Sequence, residues 1–345
     1  MRRSVLVYAV LLTGFILWAY YEWTKEDTFD PDEVAVILDT KPDELEEIVY
    51  DSEKLDVTIS MTKDDLGEYA WADVVPKPPA EGEEPPQPDP ANPHQPPPPD
   101  YSPASFKVGK QGQKMLEGMA PFLAKRLLEV TEDTDLAELG LDPAEATLTI
   151  KRKGREAKTY ELGGNVFGGV NVYVRDPSDG KIFIVDAKLI TPLRSAKRNL
   201  LDRTLFPGAS TDVERVTVSD GQRTMTYEQR NPNDPDARAW VIAGTDESDA
   251  SAAAWLDKAL SLSASRYVQD EDEIGELAPA FTVRVVVDGK EVDIEVLRGF
   301  DEEGQDMFFA KSDHTRGTVR LHRSLAAEAA ADLDSALGAQ DAAEG

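Results

Sequence analysis

The sequence predicts an α+β protein: a tandem pair of modules of antiparallel sheet with packing helices, each reading β-β-α-β-β-β-β-α, preceded by one amino-terminal transmembrane helix. Three observations lead there. A strand–turn–strand stretch at residues 147–163 returns in altered form at residues 282–299. Each copy alternates apolar and polar residues, the mark of a half-buried strand. The hairpins come in runs, with helical stripes between them. That arrangement favours antiparallel pairing over the strand–helix–strand units of a parallel sheet.

The chain opens "MRRSVLVYAVLLTGFILWAYYEWTKED", with two arginines ahead of an uncharged apolar run over residues 5–21. As a helix this run is roughly 25 Å long, enough for a thin bilayer span. No small-residue cleavage site follows; Trp18, Tyr20, Tyr21 and Trp23 do, and such aromatics suit a membrane–water interface. Residues 1–25 are therefore expected to be an uncleaved signal anchor. Arginines before the span and acids after it put the bulk of the chain outside the cytosol.

The first module is expected over residues 44–195 and the second over 212–338. Each begins with strand, turn, strand and an Ala-Trp pair, so Trp71 and Trp240 are read as equivalent core anchors. A helix is expected at 114–130, with Met115, Met119, Phe122, Leu123, Leu127 and Val130 on one stripe. Pro121 either kinks it or starts its second half. The counterpart is expected at 249–262, through Trp255, Leu256, Ala259 and Leu260. Next come hairpins turned at Gly154 and Gly289; Asp288-Gly289 is a strong type I′ signal. A second hairpin in each module turns near Gly180 and Gly317. Closing helices carry Leu189, Ile190 and Leu193 in one module and Leu325, Ala329, Leu333 and Leu337 in the other. The two tryptophans lie further apart than the two hairpin glycines, by about the length of one proline-rich insertion.

That insertion, residues 76–105, holds more than half of the chain's 23 prolines. Proline fixes φ and lacks an N–H, so neither helix nor ladder forms there. As polyproline II it reaches on the order of 80 Å. A spacer, a ligand for a proline-recognising partner and a tolerated surface insertion all fit. Residues 339–345 read as a disordered tail. Residues 196–211 form a basic connector; with the stretch just before it, this region carries Lys188, Arg194, Lys197, Arg198 and Arg203. If helical, Arg194, Lys197 and Arg198 share a face. The five cations are a candidate docking surface for an acidic partner; equally, they suit an amphipathic connector salt-bridged to the acidic modules.

The formal net charge of −29 argues against nucleic acid as partner, because phosphates need a Lys/Arg footprint. There are no cysteines, which removes thiol nucleophiles, zinc–thiolate sites and disulfides. Only His94, His314 and His322 exist, without metal-ligand spacing, so no metal is expected. "GGNVFGG" at 163–169 lacks the lysine and following helix of a phosphate loop. "DPSDG" and "NPNDPD" offer oxygens but are also what turns require. No nucleophile elbow is present. Catalytic and cofactor residues are accordingly expected to be none.

"LAELGLDPAEATLTI", the glycine-turned hairpin, "VYVRDPSDGKIFIVDAKLITPL" and "RNLLDRTLF" together resemble an uncharacterised bacterial domain of unknown function. The resemblance covers residues 44–205 well and 212–337 more loosely. Members are amino-terminally anchored, often carry the domain twice, and are commonly encoded beside gliding-type ABC transporter permeases and their Gld-like subunits. The resemblance implies an envelope accessory role and supplies no catalytic residues. The expected function is that of a non-enzymatic, inner-membrane-anchored periplasmic scaffold. Its partners would be the membrane and an ABC transporter permease or Gld-like envelope subunits. A periplasmic module binding glycan, lipid or peptide in a cleft between the modules is the alternative, and an uncharacterised hydrolase a more distant one.

Overall fold

The computed structural model describes residues 35–78, 101–131, 134–167, 169–231, 234, 238–269, 274–301 and 303–338. The expected anchor (1–25), residues 79–100 of the insertion and the expected tail (339–345) lie outside them. Among the described residues, no helix is long and apolar enough to cross a membrane.

The first half runs β1 (Ala35–Leu38), β2 (Leu45–Ser52), β3 (Leu55–Asp64), β4 (Gly67–Pro76), β5 (Ala104–Lys107), α1 (Lys110–Gly118), β6 (Phe122–Ala124), β7 (Arg126–Leu128), β8 (Ala146–Arg152), β9 (Arg155–Asn165), β10 (Asn171–Arg175) and β11 (Ile182–Asp186). Two one-turn helices follow, α2 (Thr191–Arg194) and α3 (Ala196–Asn199). The second half runs β12 (Val213–Ser219), β13 (Thr224–Arg230), β14 (Ala239–Ile242), α4 (Ala250–Leu260), β15 (Ala264–Tyr267), β16 (Ala278–Val287), β17 (Lys290–Phe300), β18 (Asp306–Ser312), β19 (Val319–Leu321), α5 (Arg323–Ala331) and α6 (Asp334–Leu337).

The architecture is α+β, dominated by two antiparallel sheets. The first has the order β5-β4-β3-β2-β8-β9-β10-β11-β7 and the second β14-β13-β12-β16-β17-β18-β19-β15. Without β5, the two orders correspond strand for strand. Register agrees as well: Ile48 lies between Ile59 and Ile150, and Val216 between Tyr227 and Val285. Alternation builds both sheets. In β8, and in β16 from Phe281 on, every second residue is buried, so one face of each sheet packs inward. The helices cover that face. Trp255 of α4 sits edge-on to Phe281 and donates its indole N–H to Ala329 O at 2.7 Å. Tyr227 reaches Ala336 O at 2.6 Å, tying β13 to α6. The Asp288-Gly289 turn takes positive φ at both residues (50° and 69°), the type I′ geometry its sequence predicts.

Five expectations need correction. The ends of the expected insertion (76–105) are strand: Pro76 closes β4 against Leu55, and Ala104 and Ser105 open β5 against Val74 and Asp73. The expected β-β-α-β-β-β-β-α order left out strands: β4 or β14 before each helix and the short β7 or β15 after it, and in the first half β1, β5 and β6 as well. Short strands carry too few alternations to show a period. The helix expected at 114–130 spans only Lys110–Gly118. Pro121 lacks the N–H to continue it, and the stripe passes onto extended chain at Phe122 while Leu127 and Val130 end exposed. Trp71 and Trp240 are not equivalent. Ala72 pairs with Ile59 and Ile242 with Tyr227, so Trp240 takes the place of Ala70, and Trp71 the place of Val241 on the opposite face. Lastly, Arg194 does not share a helix with Lys197 and Arg198, because the chain breaks at Ser195 (φ −135°, ψ 49°).

Candidate functional site

The seam between the sheets is built by β5, β15 and the connector. Connector residues bond to both edges: Asp202 N–H donates to Lys107 O at 2.9 Å and Ala264 N–H to Arg203 O at 2.9 Å. Gly109 N–H donates to Leu200 O at 2.7 Å, and the approach is so close that a Cβ on Gly109 would lie 2.8 Å from Asp202 Cα. The Gln269 carboxamide treats β5 as a neighbouring strand would. Its oxygen accepts from Ser105 N–H at 2.8 Å and its nitrogen donates to Ser105 O at 3.1 Å. Tyr267 of β15 is met edge-on by Trp71 at 5.8 Å and packed by Phe106 at 6.4 Å. Arg316, in the β18–β19 turn, pairs with Asp64 at 2.8 Å and lies over the Tyr69 ring.

Inside this seam sits a polar cluster drawn from three segments. Lys107 Nζ lies 2.8 Å from Asp202 Oδ2, and each side chain is only 8% exposed. The Thr204 hydroxyl donates to Asp202 Oδ1 at 2.7 Å. His314 Nε2 stands 3.1 Å from Asp202 Oδ2, 3.1 Å from Lys107 Nζ and 2.9 Å from Thr204 Oγ1. Burial works to raise the Asp202 pKa. The His314 bond, the Lys107 charge and bond, and the Thr204 bond outweigh it, and the carboxyl ends well below the usual range. Burial, then the Asp202 charge, pushes the Tyr267 phenol upward; its hydroxyl is buried and has no partner among the described residues.

The cluster is not laid out as a hydroxyl–His–carboxylate relay. In a hydroxyl–His–carboxylate relay the hydroxyl and the carboxylate sit on opposite ring nitrogens. Here Thr204 and Asp202 both face Nε2, while Nδ1 lies 3.4 Å from Lys107 Nζ. Beside the cluster, a cleft of about 490 Å³ opens between Phe106, Lys197, Leu201, Arg266, Tyr267 and Gln269. Among the described residues, no group of three His, Asp or Glu is placed to hold a metal.

The five basic residues singled out by sequence are spread over the surface and the seam. Arg194 turns back to the first sheet, donating to Asn165, Glu145 and Gly163 O. Lys197 reaches Ser102 O at the cleft wall. Arg203 donates to Ala264 O at 3.1 Å. Lys188 and Arg198 are exposed. Sequence reasoning missed Lys107 and Asp202 altogether and took His314 only as one of three histidines without metal-ligand spacing. Nothing in "SFKVG" or "NLLDR" marks a buried ion pair.

Residues 109–279 match the family model DUF4340, a domain of unknown function. The DUF4340 match begins at the residue before α1, takes in the connector and ends in β16, so it crosses the seam from one sheet into the other. No curated protein and no solved structure matches the chain.

Proposed function

We propose that this chain is a non-enzymatic scaffold or accessory protein, anchored by its amino terminus in the bacterial inner membrane, with its bulk in the periplasm. It would serve an ABC transporter or a Gld-like envelope complex. We also infer that the two halves arose by tandem duplication, on the correspondence of strand order and register. The observation that carries the scaffold reading is the seam. A connector bonded to both sheet edges and a buried Lys107–Asp202 pair make a stiff joint, which suits a body that holds partners at a fixed spacing. The apolar opening of the chain and the family resemblance support the location. The test is affinity purification from gently solubilised membranes. Transporter or envelope subunits should co-purify, and recovery of the chain alone would refute the reading.

A second reading is ligand binding in the seam cleft, favoured by its place between two sheets and by the buried, unpartnered Tyr267 hydroxyl. A thermal-shift screen with glycan, lipid and peptide panels tests it. A hit abolished by Leu201→Trp, which fills the cleft, would support it; no hit would count against it.

A further inference from the structure

We infer that Val36, Phe167 and Val170 form an apolar corner of the first sheet that rests on the bilayer surface beside the amino-terminal anchor. The inference rests on the membrane-anchored reading above. Its first observation is exposure. Phe167, in the β9–β10 connection, is 101% exposed, Val170 is 74% and Val36 57% exposed. Apolar side chains left bare together mark a protein or membrane contact. Three links place them at one end of the sheet. Val170 leads into Asn171, which pairs with Asp186 at the end of β11. Lys125 Nζ lies 3.5 Å from the Asp186 carboxylate. Val36 pairs with Leu123 of β6, just ahead of Lys125 in the chain.

The second observation is what the second half does with the same turn. By strand order, β9–β10 corresponds to β17–β18. The first connection reads "VFGGV" over residues 166–170, and the second "DEEGQ" over 301–305. An apolar turn gains by leaving water, whereas an acidic one stays hydrated and is repelled by anionic lipid. The apolar version belongs to the half that follows the expected anchor. The third observation is the reach of the chain. Residues 22–34, between the expected span and β1, extend at most about 45 Å. Ala35 pairs with Ala124, so it stands about three strand spacings, roughly 15 Å, from Asn171. So short a tether keeps the corner at high effective concentration beside the lipid, an advantage no soluble partner has. Charge does not oppose the contact. The overall charge is −29, yet at the root of this corner Lys125, Lys188 and Arg194 stand with Glu138, Glu145 and Asp186.

The test uses the absence of cysteine from the chain. Full-length protein is reconstituted into vesicles of phosphatidylethanolamine and phosphatidylglycerol. Val170→Cys carries an environment-sensitive dye while Phe167 stays in place. Its emission should shift to the blue, and nitroxide-labelled lipid should quench it. Adding Phe167→Asp to this variant should abolish both effects. The same dye on Phe300→Cys, exposed beside the acidic turn of the second sheet, should stay unshifted and unquenched. Flotation of the vesicles reports the anchor separately. Protein that floats with its Val170 dye unshifted would overturn this inference and leave the anchor standing; protein that does not float would overturn both. Quenching that survives Phe167→Asp, or that is equal at Phe300, would also overturn it. A dye that turns blue only in native membranes, without quenching by lipid, would do so too, and would assign the corner to a protein partner.

Discussion

Replacing Lys107 with methionine removes one partner of the buried pair and keeps most of the side-chain volume. Asp202 is then left 8% exposed as a carboxylate, held only by Thr204 and His314. Breaking a buried ion pair from one side costs about 3–5 kcal/mol, because the remaining charge stays desolvated. Thr204, through its hydroxyl and its backbone N–H, and His314 keep three bonds to Asp202, so the low end, about 3 kcal/mol, is expected. Asp202→Leu should cost a similar amount by stranding Lys107. The double variant Lys107→Met/Asp202→Leu strands neither, and should recover most of the loss. Urea unfolding of all four proteins, at matched m-values, gives the coupling energy directly. The pH dependence has a defined sign. The folded Asp202 pKa is depressed, so its stabilisation is present above the unfolded value and is lost as the pH falls below about 4. Asp202→Asn should flatten that acid limb. Additive losses in the double variant, or an unchanged acid limb in Asp202→Asn, would refute this account of the cluster.

Gly109→Ala should destabilise the seam, because its Cβ would meet Asp202 backbone at 2.8 Å; faster amide exchange at Asp202 and Ala264 would report it. Gly289→Ala meets no neighbour but must hold φ near 69°, so about 1 kcal/mol should be lost in urea unfolding, from strain alone. Tyr227→Phe gives up the 2.6 Å bond to Ala336 O and should cost about 1 kcal/mol, with α6 exchanging faster. Gln269→Ala should expose Ser105 N–H, and its amide should lose protection while β3 keeps its own.

The long hairpins were legible because their alternation and glycine turns are local: β8–β9 and β16–β17 lie where the repeat placed them. The helix at Ala250–Leu260 was legible for the same reason, with Asp249 as its cap. The register of Trp71 against Trp240 was not, because an Ala-Trp pair says nothing about which face a strand presents. The seam was hidden more deeply. Lys107 and His314 are far apart in sequence and come together only through the docking of one sheet edge on the other. A charged residue next to Phe106 reads as an outward strand position, and it does face outward from the first sheet, into the second. Arg194, Lys197 and Arg203 were visible as a basic run, yet each ends tied to a different piece of backbone or side chain.

Differential scanning calorimetry of the full-length chain tests most directly whether the seam makes one body of the two sheets. Fusion through the connector and the Lys107–Asp202 pair predicts a single transition whose calorimetric and van't Hoff enthalpies agree. It also predicts that Lys107→Met lowers that transition or splits it. Two separate transitions in the wild type, one for each sheet and neither moved by Lys107→Met, would contradict it.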